Sequence, residues 1–545
     1  MNDRPADLIL TAGRVHTMSG DIVGATAVAV REGMIVAVGG EGDVAGFIGP
    51  GTRSLRYPGA TIVPGLSDAH AHPLSGAGFT VGMDLRDVTS MPELRQQLAT
   101  ALAGLKPGDW LRGWGLNPNV WGTERVTSAL LDEVAGTVPV LLRFFDAHSA
   151  LANKPALSAA GISGPRTFPT GARVDADGDG TPTGLLLEAD AMQLVFDVMP
   201  PEPIEDHAHR VTSLLADMAA SGLTSSQVMD FIDEPFELLR LIEAEGELPL
   251  RLRFSPWVEP KHTPDDWARI LDWQGTGGRR WKVQGVKFFL DGTIDGGTAW
   301  LETPDTHGES TDSVWGDPAH YAAAVRFFAE NGIGTATHAI GDAAIRFALV
   351  TISQLPAASA GGAVHRVEHA ETLPDELVDV FAGSGAIASM QPTHCTHFVR
   401  SDHTDNWSER LGPERAQRAW RTGSLAKAGV TLALGSDWPV APFEPLAIMA
   451  DAQLRRDVAL PDLNPVGPEE ALTALQALEA YTMGSAIAAG VADTEGSISV
   501  GKVADLTILA ADPLGISPEH LAATAILATV VGGEIQFAAT AGPLP

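Results

Sequence analysis

The sequence predicts an α/β protein: a (β/α)8 TIM-type barrel, a small β-sandwich domain built from both termini, and an inserted segment over the barrel mouth. Three observations predict it. Eight short apolar runs alternate with helical stretches through the middle of the chain. Both ends share a different style, with short, partly alternating apolar runs punctuated by glycine. At 545 residues, 45% of them hydrophobic, the chain exceeds one core and has ample apolar material for several.

The elements follow in order. "DLILTAGRV", "ATAVAVREG" and "MIVAVGG" read as amino-terminal strands, and "GSISVGKVADLTILA" and "ATVVGGEIQF" resume that style at the other end. Residues 1–62 plus 485–545 are therefore expected to form the sandwich, and 63–484 the barrel. The eight strand candidates are "TIVPGLSDAH", "LTSSQVMD" (223–230), "LRLRFSPWV" (250–258), "VQGVKFFLDG" (283–292), "GIGTATHAI" (332–340), "AVHRVEHA" (363–370), "GAIASMQPT" (385–393) and "TLALGSDWP" (431–439). Helical patterns such as "AHYAAAVRFFAENG" and "PDELVDVFAGSG" intervene. The interval from 73 to about 200 is too long for one crossover, so an α+β segment is expected at about 75–200.

Composition narrows the function. A formal net charge of −32 speaks against nucleic acid and against anionic membranes, both of which require a basic face. No run approaches the roughly 20 apolar residues of a membrane span, and no basic region leads into an apolar one at the amino terminus. The expectation is a cytoplasmic protein acting on a small molecule, its oligomeric state open and a homodimer among the possibilities. Cys395 is the single cysteine, so any metal must be held by histidine, carboxylate or something rarer.

"SDAHAHP" places His70 and His72 at the end of the first barrel strand, where residues i and i+2 share a face and barrel active sites lie. The chain supplies a control in "EDHAHRV": His207 and His209 fall in a helical pattern, where i and i+2 diverge, so they read as a solvated helix face. Company at other strand ends adds weight. His338 ends the fifth strand, His369 the sixth, and Asp437 the eighth. Each alone is commonly structural; together they converge on one axis. Lys287 lies among apolar neighbours on the fourth strand, either paired with an acid such as Asp291 or carrying CO2 as a carbamate able to bridge two divalent ions.

"VPGLSDAHAHP", "GVKFFLDGT", "THAIGDAAI", "HRVEHAE", "MQPTH", "LGSDWPV" and "GSISVGKVADLTIL" resemble the amidohydrolase superfamily. "GWGLNPNVWG" and "DAHSALANKPAL" are similar to its branch containing N-substituted formamide deformylases, so the resemblance spans nearly the whole chain. It implies a metal-dependent barrel flanked by a β-sandwich. It also implies that His70 and His72 bind a buried metal with Asp437, that the Lys287 carbamate bridges, and that His338 and His369 hold a second metal. Zn2+, one or two per chain, is the implied ion. The sequence departs from the family in "DGTIDGGTAW", where an arginine-bearing segment is common, and at Leu116 and Asn117, where an aromatic and Asp are common.

The expected chemistry is attack of a metal-bound hydroxide on an amide or formamide carbonyl, with Asp437 shuttling the proton to the departing amine. Substrate contacts are expected from Trp114, Trp121, His148, Asp291, His394 and Trp438. The tryptophans, Trp300 included, have packing as their alternative, and His394 a structural role. A mononuclear deaminase is a rival reading, opposed by Gly341 where such enzymes carry Glu and by the presence of Lys287. A non-catalytic relative is another, opposed by the complete ligand set. "DADGDGTPTG" (175–184) imitates a calcium loop but has Leu186 where Glu is required, so a hairpin is expected. Cys395 is expected to pack.

Overall fold

The structure, a computed structural model, describes residues 4–20, 22–168, 170–232, 235–355 and 362–540. The amino-terminal stretches form β1 (Leu8–Val15), β2 (Ala27–Arg31), β3 (Met34–Gly39) and the long β4 (Arg53–Pro64), and after Gly65 the chain continues as β5 (Leu66–Ala71). A Cβ on Gly65 would lie 2.2 Å from Thr224 Oγ1, so the chain passes here only without a side chain. All six residues of β5 are buried, which suits a strand packed on both faces.

The interval expected to be an insertion contains a separate sheet. It comprises β6 (Met83–Asp84), β7 (Leu111–Leu116), β8 (Val140–Phe144), β9 (Ser149–Ala152), β10 (Arg166–Thr167), β11 (Arg173–Ala176) and β12 (Pro182–Leu187). Their order is β10-β11-β12-β9-β8-β7-β6. Leu98, Leu131, Leu142 and Phe144 belong to one core cluster, and Ala150, Leu157, Leu186 and Val195 to a second. The acidic "DADGDGTPTG" stretch closes the β11–β12 hairpin, and Arg125 pairs with Asp175 at 2.7 Å and Asp177 at 2.8 Å. The hairpin reading holds.

Each of the eight middle candidates contains a strand. After β5 come β13 (Leu223–Phe231), β14 (Arg251–Pro256), β15 (Trp281–Val283), β16 (Val286–Phe289), β17 (Thr335–Ala339), β18 (His365–His369), β19 (Ile387–Met390) and β20 (Leu432–Leu434). They form two parallel sheets, ordered β15-β14-β13-β5 and β16-β17-β18-β19-β20. The sheets meet along two lines. Val258 N donates to Lys287 O at 2.8 Å beside a single bridge from Trp257 to Lys287. On the other side Asp437 N donates to His70 O at 2.7 Å and His72 N to Trp438 O at 2.8 Å. The buried Asp68 carboxylate adds bonds from Ser436 N at 3.1 Å and Ser436 Oγ at 2.6 Å. In "GAIASMQPT" the strand ends at Met390, because Pro392 opens the helix Pro392–Phe398.

Helices alternate with these strands, among them Pro318–Glu330, Asp342–Ser353 and Asp375–Ser384. Pro318–Glu330 shows why. Asp317 caps it by accepting from Ala319 N at 3.0 Å, and the buried Tyr321, Ala324, Val325 and Phe328 fall at i, i+3, i+4 and i+7. The control histidines lie on the helix Ile204–Ala220; His209 is exposed, and His207 Nε2 donates to Leu74 O at 2.8 Å. Among the described residues no helix is long and apolar enough to cross a membrane.

At the far end come β21 (Leu506–Leu509), β22 (Ile526–Val531) and β23 (Glu534–Ala538). They join the amino-terminal strands in one seven-stranded sheet, β23-β22-β21-β4-β1-β2-β3. β4 sits at its centre, parallel to β1 and antiparallel to β21. Of "GSISVGKVADLTILA" only Leu506–Leu509 is strand, which corrects the longer expectation. The preceding residues make turns instead, Lys502 Nζ donating to Ala492 O at 2.6 Å and Glu495 O at 2.8 Å.

Candidate metal centre

Five parallel strands end around one point. β5 and the residue after it supply His70 and His72, β16 supplies Lys287, β17 His338, β18 His369, and the turn after β20 Asp437. Strand alternation would send His369 to the face opposite Glu368, yet both reach His70. The left-handed backbone at His369 (φ 71°) and Ala370 (φ 45°) turns the ring inward, and Asp437 is left-handed too (φ 57°). Non-glycine residues avoid this region at a cost of order 1–3 kcal/mol, and such strain gathers at functional sites.

The side chains converge closely. His70 Nε2 lies 3.3 Å from His72 Nε2, 3.5 Å from Lys287 Nζ and 3.4 Å from Asp437 Oδ1, with His72 Nε2 at 3.0 Å from the same oxygen. His369 Nδ1 and His394 Nε2 approach the other oxygen of Asp437 at 3.8 and 3.6 Å. The ring of His338 packs on that of His369 with centroids 4.6 Å apart. His70, His369 and Asp437 each offer a ligand-type atom, all within 4.8 Å of one another.

Three of the rings are pinned by acceptors. His70 Nδ1 meets Glu368 Oε2 at 2.6 Å, His369 Nδ1 meets Gln391 Oε1 at 2.8 Å, and His338 Nε2 meets Gly292 O at 3.1 Å. Oxygens of this kind accept, so in each ring that nitrogen carries the hydrogen and the other presents a lone pair. Burial, then the nearby Lys287, holds His70 well below the usual imidazole range. Burial likewise depresses His338 and His369. Asp437 is lowered too, although burial opposes it: His70, His72 and His394 hold it well below the usual carboxylate range. The depressed imidazoles of His70, His338 and His369 beside an ionised carboxylate suit a cation. Asp437 Oδ1, buried and without an aligned hydrogen-bond donor, fits a divalent ion.

Lys287 is fully buried, and among the described residues no carboxylate lies within ion-pair reach of its amine. Burial brings it down to about 8, against the opposing pull of Glu368 and Asp437. The alternative of a pair with Asp291 does not hold. Asp291 accepts instead from Trp300 N at 2.9 Å, Ile340 N at 3.0 Å and Gly341 N at 2.8 Å, and burial still pushes it up to about 7. Its Oδ1 lies 3.7 Å from His338 Nε2, so it borders the cluster.

Around the centre stand Phe289, whose ring is 5.1 Å from that of His338 and 4.6 Å from Trp257, and Phe398, stacked at 3.9 Å on Phe145 of the insertion. The insertion also delivers His148, its ring 5.5 Å from His338 and its Nδ1 2.8 Å from Glu188 Oε2. His394 is buried with its Nε2 unpartnered, facing Asp437. The tryptophans mostly pack. Trp121 belongs to the insertion's core beside Phe144, and Arg86 covers Trp114 at 4.6 Å. Trp438 fills the space over Gly76, and Trp300 lies against Phe347. Cys395 is buried, which pushes its thiol up to about 11.

Glu368, Arg366, Gln391 and Glu188 escaped the sequence reading. The one available signal was Glu368 and Arg366 two apart in "HRVEH", two charges on one face of a buried strand. A second ligand-type group, His397 with Asp451 and Asp457, is a hydrogen-bonded brace. Thr396 Oγ1 and Val458 N already fill the two oxygens of Asp451 at 2.7 and 2.8 Å.

A family model described as "Amidohydrolase family" matches residues 58–537. Protein LONG AFTER FAR-RED 3 of Arabidopsis thaliana is 31% identical over 551 residues, covering 97% of this chain and 91% of its own. An N-substituted formamide deformylase of Arthrobacter pascens is 28% identical over 562 residues, covering 98% and 99%. A solved structure of an uncharacterized metal-dependent hydrolase from Pyrococcus horikoshii OT3 aligns with a TM-score of 0.71 at 23% identity, over 94% of this chain and 99% of that one. That last likeness speaks for the fold.

Proposed function

The chain belongs to the amidohydrolase family, and from that premise we propose that it is a metal-dependent hydrolase cleaving a C–N bond in a small amide, N-substituted formamides included. One observation carries the reading: Asp437 Oδ1, buried and without an aligned donor, lies 3.4 and 3.0 Å from the Nε2 atoms of His70 and His72. A carboxylate oxygen approached this closely by two imidazole nitrogens is an arrangement that a divalent cation would fit.

In this reading the two parallel sheets are one (β/α)8 barrel, supported by the hydrogen bonds across both of their meeting lines. β15 and β16 then count as one strand interrupted at Gln284 and Gly285. Residues 1–62 and 485–545 form the flanking domain. His70, His72 and Asp437 would hold one divalent ion, Zn2+ by preference, and His338 and His369 would hold a second. Lys287, as its carbamate, would supply a further anionic ligand between them. Its neutral amine adds CO2, forming an N–C bond and releasing one proton, and the unpaired, depressed amine supports that step.

A divalent ion held there would lower the pKa of a bound water to about 7 and would polarise a carbonyl oxygen. The protein supplies the rest. Asp437, held ionised, accepts the proton of the attacking water and returns it to the amine nitrogen as the C–N bond breaks. His394 Nε2, unpartnered and 3.6 Å from Asp437 Oδ2, borders the reacting carbonyl. The Phe289–Trp257 and Phe145–Phe398 pairs form an aromatic wall suited to an apolar N-substituent. The Arthrobacter pascens relative, matched over nearly its full length, supports the formamide choice.

The test is a hydrolysis screen of N-formyl, N-acyl and cyclic amides with and without chelator, read by product mass. Chelator-sensitive release of an amine is expected. Turnover that survives complete metal removal overturns the reading, and turnover confined to esters or lactones overturns its C–N part.

A further inference from the structure

The three pinned histidines differ in what pins them. A main-chain carbonyl holds His338 and an amide oxygen holds His369, but a carboxylate, Glu368, holds His70. Glu368 is fully buried, and a charge in that position needs a partner. Arg366, 4% exposed, provides it, with Nε 2.8 Å from Glu368 Oε1. The same guanidinium bonds Gln227 and donates to Ala69 O at 3.2 Å, one residue before His70. One cation therefore steadies both the main chain leading into His70 and the carboxylate that holds its ring.

The geometry is not that of a simple ion pair. A carboxylate kept only to neutralise arginine gains most by facing it with both oxygens. Here Oε1 touches Arg366 without an aligned hydrogen bond, and Oε2 is committed to His70 at 2.6 Å.

We propose that Glu368, with Arg366 as its buried counter-charge, is the positioning residue of the metal centre: it fixes the Nδ1–H tautomer of His70, aims Nε2 at the ion, and makes the His70–His72–Asp437 half the tighter one. This rests on the reading of the site as a metal centre. A carboxylate acceptor raises the donor strength of an imidazole more than a neutral oxygen does, and loss of such a partner lowers metal affinity about 10–100-fold. His338 and His369, pinned by neutral oxygens, lack that gain.

The test is Co2+ titration of the full-length, chelator-stripped protein, followed by visible absorption and equilibrium dialysis. Glu368→Gln and the double variant Arg366→Met/Glu368→Gln are compared with the wild type. The first Co2+ dissociation constant is expected to rise about 10–100-fold in both variants. The double variant leaves no unpaired buried charge but strands Ala69 O and Gln227 Oε1, so it should melt below the wild type yet stay folded when metal-free. A folded double variant that binds its first Co2+ as tightly as the wild type overturns the proposal. A wild type that binds no Co2+ instead removes the metal centre, and this inference with it. Should neither variant fold, 15N-histidine-labelled wild type decides: a protected low-field proton on His70 Nδ1, lost in His70→Asn, is expected, and its absence overturns the assignment.

Discussion

Glu188→Gln changes one atom of the acid and removes its charge from beside His148. In the folded protein burial alone would depress His148, but Glu188 at 2.8 Å, then Asp146 and Asp437, more than reverse this and raise it to about 9. An unfolded histidine titrates at about 6.5, so the gap is about 2.5 units, on the order of 3 kcal/mol of stability. His148 keeps 21% of its side chain exposed, which makes that figure a ceiling. Because the folded value lies above the unfolded one, the stabilisation is complete below about pH 6.5 and is lost as pH rises through about 9. In the variant only Asp146 and Asp437 still oppose burial, and His148 falls from about 9 toward its ordinary value. Thermal unfolding of chelated wild type and variant should therefore differ most near pH 6 and converge above pH 9.5. Histidine-selective NMR should show the midpoint near 9 lost in the variant. A difference in melting that is the same at every pH, or an unmoved His148 midpoint, refutes the reasoning.

Other outcomes follow from the same structure. Asp437→Asn should lower kcat by about 10²–10⁴-fold, and a fully active variant rejects the proton shuttle. Bicarbonate should promote metal uptake by the stripped wild type but not by Lys287→Ala, as measured by equilibrium dialysis. Equal dependence in both excludes a carbamate at Lys287. Arg455, 1% exposed, donates to Val466 O at 2.9 Å, Trp420 O at 3.1 Å and Ala419 O at 3.0 Å. Arg455→Met strands three buried carbonyls at about 1–3 kcal/mol each, so the thermal midpoint should drop clearly while activity well below it is kept. An unchanged midpoint contradicts that accounting.

The fold was legible where periodicity is local. The eight middle segments each carry an apolar run that becomes a strand, and the acidic hairpin at 175–184 showed its turn chemistry. The cluster of His70, His72 and Lys287 was foreshadowed for the same reason, since HxH on a strand and a lysine inside an apolar run announce themselves by neighbours. Reading failed where a contact depends on distant segments. Trp121 looked available to a substrate, but the insertion closes its own core around it. Glu188 lies 40 residues from His148, and only the β9–β12 pairing brings the two together.

Strand and helix spacing, charge and the residue types at strand ends were set by the sequence alone, because those properties repeat over a few residues. Which acceptor pins which imidazole was decided only by tertiary structure. Glu368 and His70 stand 298 residues apart, and no spacing rule connects them. Their meeting follows from the bonds that join the sheet of β5 to the sheet of β18, and the left-handed backbone at His369 brings a second ring beside the same point.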